Sequence, residues 1–140
     1  MNVRIPTILV VDDETSTRKR IRGLLHHADY NVVEARDFAG ARALFERRRD
    51  EIDLMLIDVS IPGNNGCELA KAALAAKPGV QVLLMSGLAG AQVCRFYGIP
   101  ATDVHFLEKP FRDSALLARV KYILGSAEPL TGTATGSTSG

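Results

Sequence analysis

Short apolar runs alternate with longer amphipathic segments along most of this 140-residue chain. A short apolar run that enters polar or turn residues is typical of a buried parallel strand, and the segments between the runs are long enough for helices. Repeated right-handed crossovers place such helices on both faces of one sheet. The sequence therefore predicts an α/β fold built on a doubly wound, five-stranded parallel sheet. The predicted strands are 7–11, 31–34, 53–57, 80–85 and 103–107, and the predicted helices lie near 15–27, 37–48, 66–76, 89–97 and 112–124.

The length and composition indicate one domain. With 46% apolar residues, 140 residues can form a single core but are too few for two ordinary domains. We expect the folded domain to cover 1–125, and the Thr-, Gly- and Ser-rich segment 126–140 to be a disordered tail, because it has almost nothing to bury. Glycines and a proline interrupt the segment 87–102, so its helix should be short or mobile.

Acidic residues follow two of the predicted strands. Asp12 and Asp13 come directly after the first strand, and Asp58 comes directly after the third. A single aspartate at such a place is more often a helix cap or a turn residue. Three of them, with Lys109 and Pro110 after the last strand, favour a site at the carboxyl edge of the sheet.

The chemistry of such a site follows from its carboxylates. Clustered carboxylates repel one another, so they need a divalent cation and a basic side chain to hold them together. Oxygen ligands without a nearby histidine or cysteine favour Mg²⁺ over zinc. An aspartate in this setting can act as a nucleophile toward a phosphoryl group and form an aspartyl phosphate.

Over residues 7–124 the arrangement resembles the receiver domain of two-component response regulators. The resemblance rests on four elements in order, which are Asp12-Asp13, Asp58 with the following 61–66 segment IPGNNG, Ser86-Gly87, and the 106–111 segment FLEKPF. It implies a flavodoxin-like strand order 2-1-3-4-5, which chemotaxis receivers share and in which the first and third strands are neighbours. The three aspartates would then converge.

The resemblance also implies a role for each residue at the acidic pocket. Asp58 would accept phosphate from a phosphohistidine, and Asp12 and Asp13 would organise Mg²⁺, with Asp13 as a direct ligand. The backbone carbonyl of Ser60 and the carboxylate of Asp58 would complete the protein's share of the metal ligands. Lys109 would contact a phosphate oxygen.

Three further residues of the resemblance lie in or just after the last two predicted strands. Ser86 would donate a hydrogen bond to the phosphate, in the place of a threonine that is frequent in the family. Phe106 replaces a frequent tyrosine, so any switching role would rest on packing, and plain core packing is an equally good interpretation. Pro110 would follow a cis peptide bond, which is a minority state for proline in general.

The resemblance implies a signalling phosphoacceptor that assists its own phosphorylation and dephosphorylation, rather than an enzyme acting on a substrate. Its partners would be a sensor histidine kinase or a histidine phosphotransfer protein, and a downstream target that the sequence does not identify. Two settings stay open, a stand-alone regulator and a receiver attached to a hybrid histidine kinase. A phosphorylation-independent binding module is one alternative, and a Mg²⁺-dependent aspartyl-phosphate phosphohydrolase is a weaker one, because that class separates its two aspartates by one residue whereas Asp12 and Asp13 are adjacent.

Charge and hydropathy exclude some other classes. The net charge is +1, and the densest basic run, Arg47 to Arg49, is best interpreted as a solvated helix end, so we expect no direct nucleic-acid binding. No apolar stretch is long enough to cross a bilayer, and no signal peptide is recognisable. The sequence therefore predicts a cytoplasmic protein.

Overall fold

The computed structural model describes residues 4–100 and 102–125, and it contains one five-stranded parallel sheet with the order β2-β1-β3-β4-β5. This confirms the predicted fold class and strand order. The strands are β1 (Thr7–Val11), β2 (Asn31–Ala35), β3 (Ile52–Asp58), β4 (Gln81–Ser86) and β5 (His105–Glu108). The helices are α1 (Thr15–His27), α2 (Phe38–Arg47), α3 (Gly66–Ala76), α4 (Gly90–Tyr97) and α5 (Asp113–Gly125).

The central strands are buried on both faces, and their side chains alternate between two cores. Ile8 and Val10 of β1 face the core beneath α1 and α5, whereas Leu9 and Val11 face the core beneath α2, α3 and α4. A strand with helices on both sides needs apolar residues at every position, which is why these strands appear in the sequence as continuous apolar runs.

Each helix covers the sheet with its apolar stripe. Ile21 and Leu25 of α1 pack with Leu116 and Val120 of α5 on one face. On the other face the buried helix residues include Ala41, Phe45, Cys67, Leu69, Ala70, Ala73 and Val93. Within the described parts of the chain, no helix is both long enough and apolar enough to cross a membrane.

The predicted boundaries agree with the structure to within about two residues, and the largest difference is at β5. The sequence predicts this strand from residue 103, but it begins at His105, opposite Leu83. The backbone N–H of Asp103 donates to the carbonyl of Pro100 instead, so Asp103 belongs to a turn that precedes the strand. The helix of the glycine-rich segment is short, as expected, and spans eight residues. The predicted tail, 126–140, lies outside the described residues.

The sheet order fixes where the polar residues meet. β1 and β3 are hydrogen-bonded neighbours, with Val11 opposite Ile57, so the residues that end them lie side by side. β4 adjoins β3, with Met85 opposite Asp58. The carboxyl ends of three parallel strands therefore share one edge of the sheet, where such folds bind their ligands.

Candidate functional site

Three carboxylates meet at the carboxyl edge of the sheet. Asp12 and Asp13 follow β1, and Asp58 is the last residue of β3. One carboxylate oxygen from each lies within 4.8 Å of the other two. Asp12 and Asp58 are buried and Asp13 is exposed, so the cluster opens to solvent on the Asp13 side.

Asp12 is the most enclosed of the three, with a fully buried side chain. Its Oδ1 accepts a hydrogen bond from the backbone N–H of Glu14 at 2.9 Å, whereas its Oδ2 is buried without a hydrogen-bond partner. Burial raises the pKa of Asp12, and the charge of Asp58 raises it further, against the lowering effects of the Glu14 hydrogen bond and of Lys109. The site thus holds a buried carboxylate oxygen that accepts no hydrogen bond, with the charged Nζ of Lys109 3.5 Å away.

Lys109 is the basic side chain of the cluster. Its Nζ lies 3.1 Å from Oδ2 of Asp58 and 3.5 Å from Oδ2 of Asp12. Burial by itself would lower the pKa of Lys109, but the hydrogen bond and charge of Asp58, together with Asp12, raise it on balance. The backbone N–H of Lys109 donates to the carbonyl of Ser86 at 2.8 Å, which ties the loop after β5 to the end of β4.

The backbone after β3 closes around Asp58. The N–H of Ser60 donates to Asp58 Oδ1 at 3.0 Å, and the N–H of Val59 donates to the carbonyl of Met85 at 3.0 Å. Gly66, which begins α3, packs so tightly that an added Cβ would collide with the carbonyl oxygen of Asp58. The first residue of α3 therefore has to be glycine if the helix is to start against the acidic strand end.

Ser86 and Phe106 lie on β4 and β5, and Pro110 lies in the loop after β5. Ser86 ends β4, is buried, and accepts a hydrogen bond from the N–H of Leu88 through its hydroxyl. Phe106 of β5 pairs with Leu84 of β4. Its side chain is partly buried and packs against the core beneath α2, α3 and α4. The peptide bond between Lys109 and Pro110 is cis.

The donor set fits a divalent cation such as Mg²⁺. The fit rests on Oδ2 of Asp12, which is buried without a hydrogen bond and has Lys109 only at the longer ion-pair distance of 3.5 Å, and on the mutual repulsion of the three carboxylates. Hard cations prefer carboxylate and carbonyl oxygens, and Mg²⁺ is commonly held by only one or two carboxylates and keeps several waters. The open Asp13 side leaves room for such a water shell.

Sequence reasoning missed Arg18, which contacts the acidic segment. This residue of α1 donates from Nη1 to the carbonyl oxygen of Asp12 at 2.8 Å, and from Nε to Oε1 of Glu34 at 3.0 Å. In the sequence Arg18 belongs to a run of basic residues and looks like part of a solvated helix face. The only available signal was its position in the first turn of a helix that closely follows the two aspartates.

The family comparison covers most of the folded chain. Residues 8–121 match the family model described as "Response regulator receiver domain". The chain is 34% identical over 117 residues to the transcriptional regulatory protein CpxR of Escherichia coli (strain K12), which is 84% of this chain and 48% of the relative. It is 32% identical over 124 residues to the phosphate regulon transcriptional regulatory protein PhoB of Pseudomonas aeruginosa, which is 88% of this chain and 53% of that protein. The chain therefore spans about half the length of these curated relatives.

Solved structures show the same fold. The receiver domain of the hybrid histidine kinase CckA is 34% identical, with a TM-score of 0.71, covering 84% of this chain and 98% of that one. The chemotaxis protein CheY4 of Vibrio cholerae is 26% identical, with a TM-score of 0.76, covering 85% of this chain and 98% of that one.

Proposed function

The chain belongs to the response regulator receiver domain family, and from this premise we propose that it accepts a phosphoryl group on Asp58 in a Mg²⁺-dependent transfer from a phosphohistidine. The observation that carries the proposal is the contact between Lys109 and Asp58 inside a cluster of three carboxylates. Together these groups provide a nucleophile, a cation binding set and a fixed positive charge at one edge of the sheet.

Among the three carboxylates, Asp58 is the best nucleophile. Asp12 is fully buried, so its oxygens are poorly placed to reach a donor. Asp13 is exposed, and the described residues provide no partner that orients its carboxylate. Asp58 has one oxygen fixed by the N–H of Ser60 and the other directed at Lys109, which orients it for attack.

The metal site would be formed by the carboxylates of Asp12, Asp13 and Asp58 and the backbone carbonyl of Ser60. When bound there, Mg²⁺ supplies charge neutralisation of the phosphoryl oxygens and orients the phosphoryl group. Asp13, as the exposed carboxylate, is suited to direct ligation. Asp12 supplies a buried oxygen that accepts no hydrogen bond from the protein.

The transfer balances as a displacement at phosphorus. A carboxylate oxygen of Asp58 forms the new P–O bond while the P–N bond to the donor imidazole breaks, and the imidazole leaves as the neutral base after taking a proton from water. Lys109 would hold one phosphoryl oxygen by charge, and the Ser86 hydroxyl would donate to another. Ser86 ends β4, which adjoins β3, and Lys109 reaches Asp58 from the loop after β5, so a phosphate on Asp58 changes the contacts of both elements.

The donor would be a sensor histidine kinase or a histidine phosphotransfer protein, and the phosphorylated form would present a changed surface to a downstream target. The similar proteins suggest two settings, because CpxR and PhoB are named as transcriptional regulators whereas CckA is a hybrid kinase. In either setting the chain acts as a signalling phosphoacceptor that assists its own phosphorylation and dephosphorylation.

The test is chemical phosphorylation with acetyl phosphate. The full chain with Mg²⁺ should gain one phosphoryl group by intact mass, and peptide mapping should place it on Asp58. Asp58→Asn should gain none while remaining folded, because the amide has nearly the same shape and is a poor nucleophile. Asp50→Asn, an exposed carboxylate before β3, is the matched control and should label like the wild type.

Two outcomes would oppose the proposal. A phosphoryl group mapped to another residue would show that Asp58 is not the acceptor. Full labelling in excess chelator would show that the transfer does not depend on Mg²⁺. A folded wild type that takes no phosphate, and that binds its partner no differently from the Asp58→Asn variant, would instead indicate a phosphorylation-independent module.

A further inference from the structure

Arg18 lies in the first turn of α1, where its side chain contacts the backbone carbonyl of Asp12. We propose that Arg18 is a positioning residue for Mg²⁺ binding, because it fixes the peptide group that joins Asp12 to Asp13. The inference rests on the proposed function, since it assigns a task to Arg18 within the same site.

The contact falls on the bond that matters most for the two carboxylates. Nη1 of Arg18 donates to the carbonyl oxygen of Asp12 at 2.8 Å, and this carbonyl belongs to the peptide between Asp12 and Asp13. Rotation of that peptide would redirect the side chains on both sides of it. The segment is also held by the N–H of Asp12, which donates to the carbonyl of Ala35, and by the N–H of Glu14, which donates to Asp12 Oδ1. Arg18 adds a restraint from a side chain of α1.

Arg18 is itself held in place. Its Nε donates to Oε1 of Glu34 on β2 at 3.0 Å, and only 14% of the Arg18 side chain is exposed. A charge-assisted hydrogen bond that is mostly shielded from water is stronger and better defined than a surface ion pair. Two hydrogen bonds of Arg18 therefore join Glu34 of β2 to the Asp12 carbonyl and restrain its position.

The position of Arg18 is unfavourable for the helix alone. A cation in the first turn opposes the helix dipole, and no acidic residue in the first turn of α1 compensates it. Glu14 at the N-cap makes no side-chain cap to the backbone either. A local cost at one residue is expected where that residue serves a site.

Arg22 provides a matched control. It lies one turn further along α1 and pairs with the other oxygen of Glu34, with Nε 3.2 Å from Oε2. Its side chain is 59% exposed, and no contact joins it to Asp12 in the described structure. Arg18 and Arg22 thus carry the same charge, on the same helix, against the same glutamate, and differ in the contact to the Asp12 carbonyl.

The sign of the effect distinguishes positioning from plain electrostatics. Removing a positive charge near a cation site should strengthen Mg²⁺ binding, because the repulsion between the two cations is lost. Removing a restraint should weaken it, because the carboxylates lose their fixed directions. The two explanations predict opposite shifts in the dissociation constant.

The experiment is a calorimetric titration of the unphosphorylated full chain with MgCl₂. Arg18→Met should weaken Mg²⁺ binding by about tenfold, the lower end of what loss of an outer contact to a metal ligand causes. Arg22→Met should bind Mg²⁺ as tightly as the wild type or slightly more tightly. Arg18→Lys keeps the charge but lacks the planar fork that reaches both Glu34 and the Asp12 carbonyl, so its affinity should fall between those of Arg18→Met and the wild type.

Acetyl phosphate labelling gives a second readout. For Arg18→Met, the Mg²⁺ concentration at half-maximal labelling should rise about as much as the dissociation constant, whereas the rate at saturating Mg²⁺ should stay close to that of the wild type. A plainly structural role would instead lower the free energy of unfolding and the saturated rate without a selective shift in the Mg²⁺ midpoint.

Unchanged or tighter Mg²⁺ binding by folded Arg18→Met would overturn the inference. If that variant does not fold, Arg18→Lys decides the matter, since wild-type affinity in it would show that Mg²⁺ binding does not need one side chain joined to both Glu34 and the Asp12 carbonyl. A wild type that neither binds Mg²⁺ nor labels at Asp58 would defeat the proposed function itself, which is a separate result from equal binding by the wild type and the variant.

Discussion

Gly90 lies directly on the aromatic ring of Phe106, so that the start of α4 and the side chain of β5 share one contact. A Cβ at position 90 would fall 2.8 Å from two carbons of the ring, closer than packed carbon atoms approach. Phe106 is only partly buried, and the first residue of α4 covers its ring on this side. The orientation of the ring and the start of the helix therefore depend on each other.

Gly90→Ala should destabilise the protein, although alanine is the better helix former. The added methyl group must displace the ring or the first turn of α4, and overpacking of this kind costs about 1–3 kcal/mol. Gly23→Ala is the matched control, because Gly23 lies in the middle of α1 with nothing within 4 Å of an added Cβ. That substitution should raise the free energy of unfolding by roughly 0.5–1 kcal/mol. Urea unfolding of both variants checks the pair, and equal stabilisation by the two would show that the ring moves aside at no cost.

The fold could be predicted from the sequence because its signals are repeated. Each apolar run gave a strand, and the adjacency of Asp12 and Asp58 followed from the parallel order of β1 and β3. The late start of β5 could not be predicted, because residues 103 and 104 look like strand residues until the Asp103 N–H is seen to close a turn on Pro100. The contact of Gly90 with Phe106 joins residues 16 positions apart and leaves no periodic pattern.

Asp12→Asn should stabilise the protein at neutral pH. In the wild type, burial and then the charge of Asp58 oppose ionisation of Asp12 and raise its pKa, so stability falls as pH rises through that pKa. The amide carries no charge, which should add about 0.5–2 kcal/mol to the free energy of unfolding at pH 7. The gain should shrink as pH falls through the raised pKa of Asp12, because the wild-type carboxylate is then protonated and neutral too. A gain that is the same at low and neutral pH would exclude this explanation.

Lys109→Met should separate phosphorylation from the response to it. Labelling of Asp58 by acetyl phosphate should persist, because the nucleophile and the carboxylates remain, whereas the loop after β5 loses its electrostatic tie to the phosphate. Amide spectra with and without phosphate should then differ much less for β5 and α4 than they do in the wild type. Lys121→Met, an exposed cation on α5, is the control and should respond like the wild type. An undiminished spectral response in Lys109→Met would rule out this role for Lys109.

The site was predictable in its carboxylates and lysine but not in its support. The ends of neighbouring parallel strands share one edge of the sheet, so Asp12, Asp13, Asp58 and Lys109 could be expected to meet there. The structure places them together. Arg18 acts on a backbone carbonyl, and no side-chain pattern marks which carbonyl an arginine reaches. Contacts to the backbone thus form the part of a site that sequence patterns describe least.

Phosphate on Asp58 should move the ring of Phe106, with Ser86 as the link between them. Ser86 lies two residues after Leu84, the partner of Phe106 in the sheet, so the two side chains point to the same face. If the phosphate draws the Ser86 hydroxyl away from the N–H of Leu88, space opens beside the ring, and packed interiors tend to switch between discrete arrangements.

Fluorine NMR of fluorophenylalanine-labelled protein, with Mg²⁺ and beryllofluoride as the phosphoryl mimic, should show a shifted Phe106 resonance. Phe45, buried in the core beneath α2, is an internal control and should not shift. Ser86→Ala should reduce the shift, and an unmoved Phe106 resonance alongside clear binding of the mimic would refute the coupling and direct attention to the segment 87–102 instead.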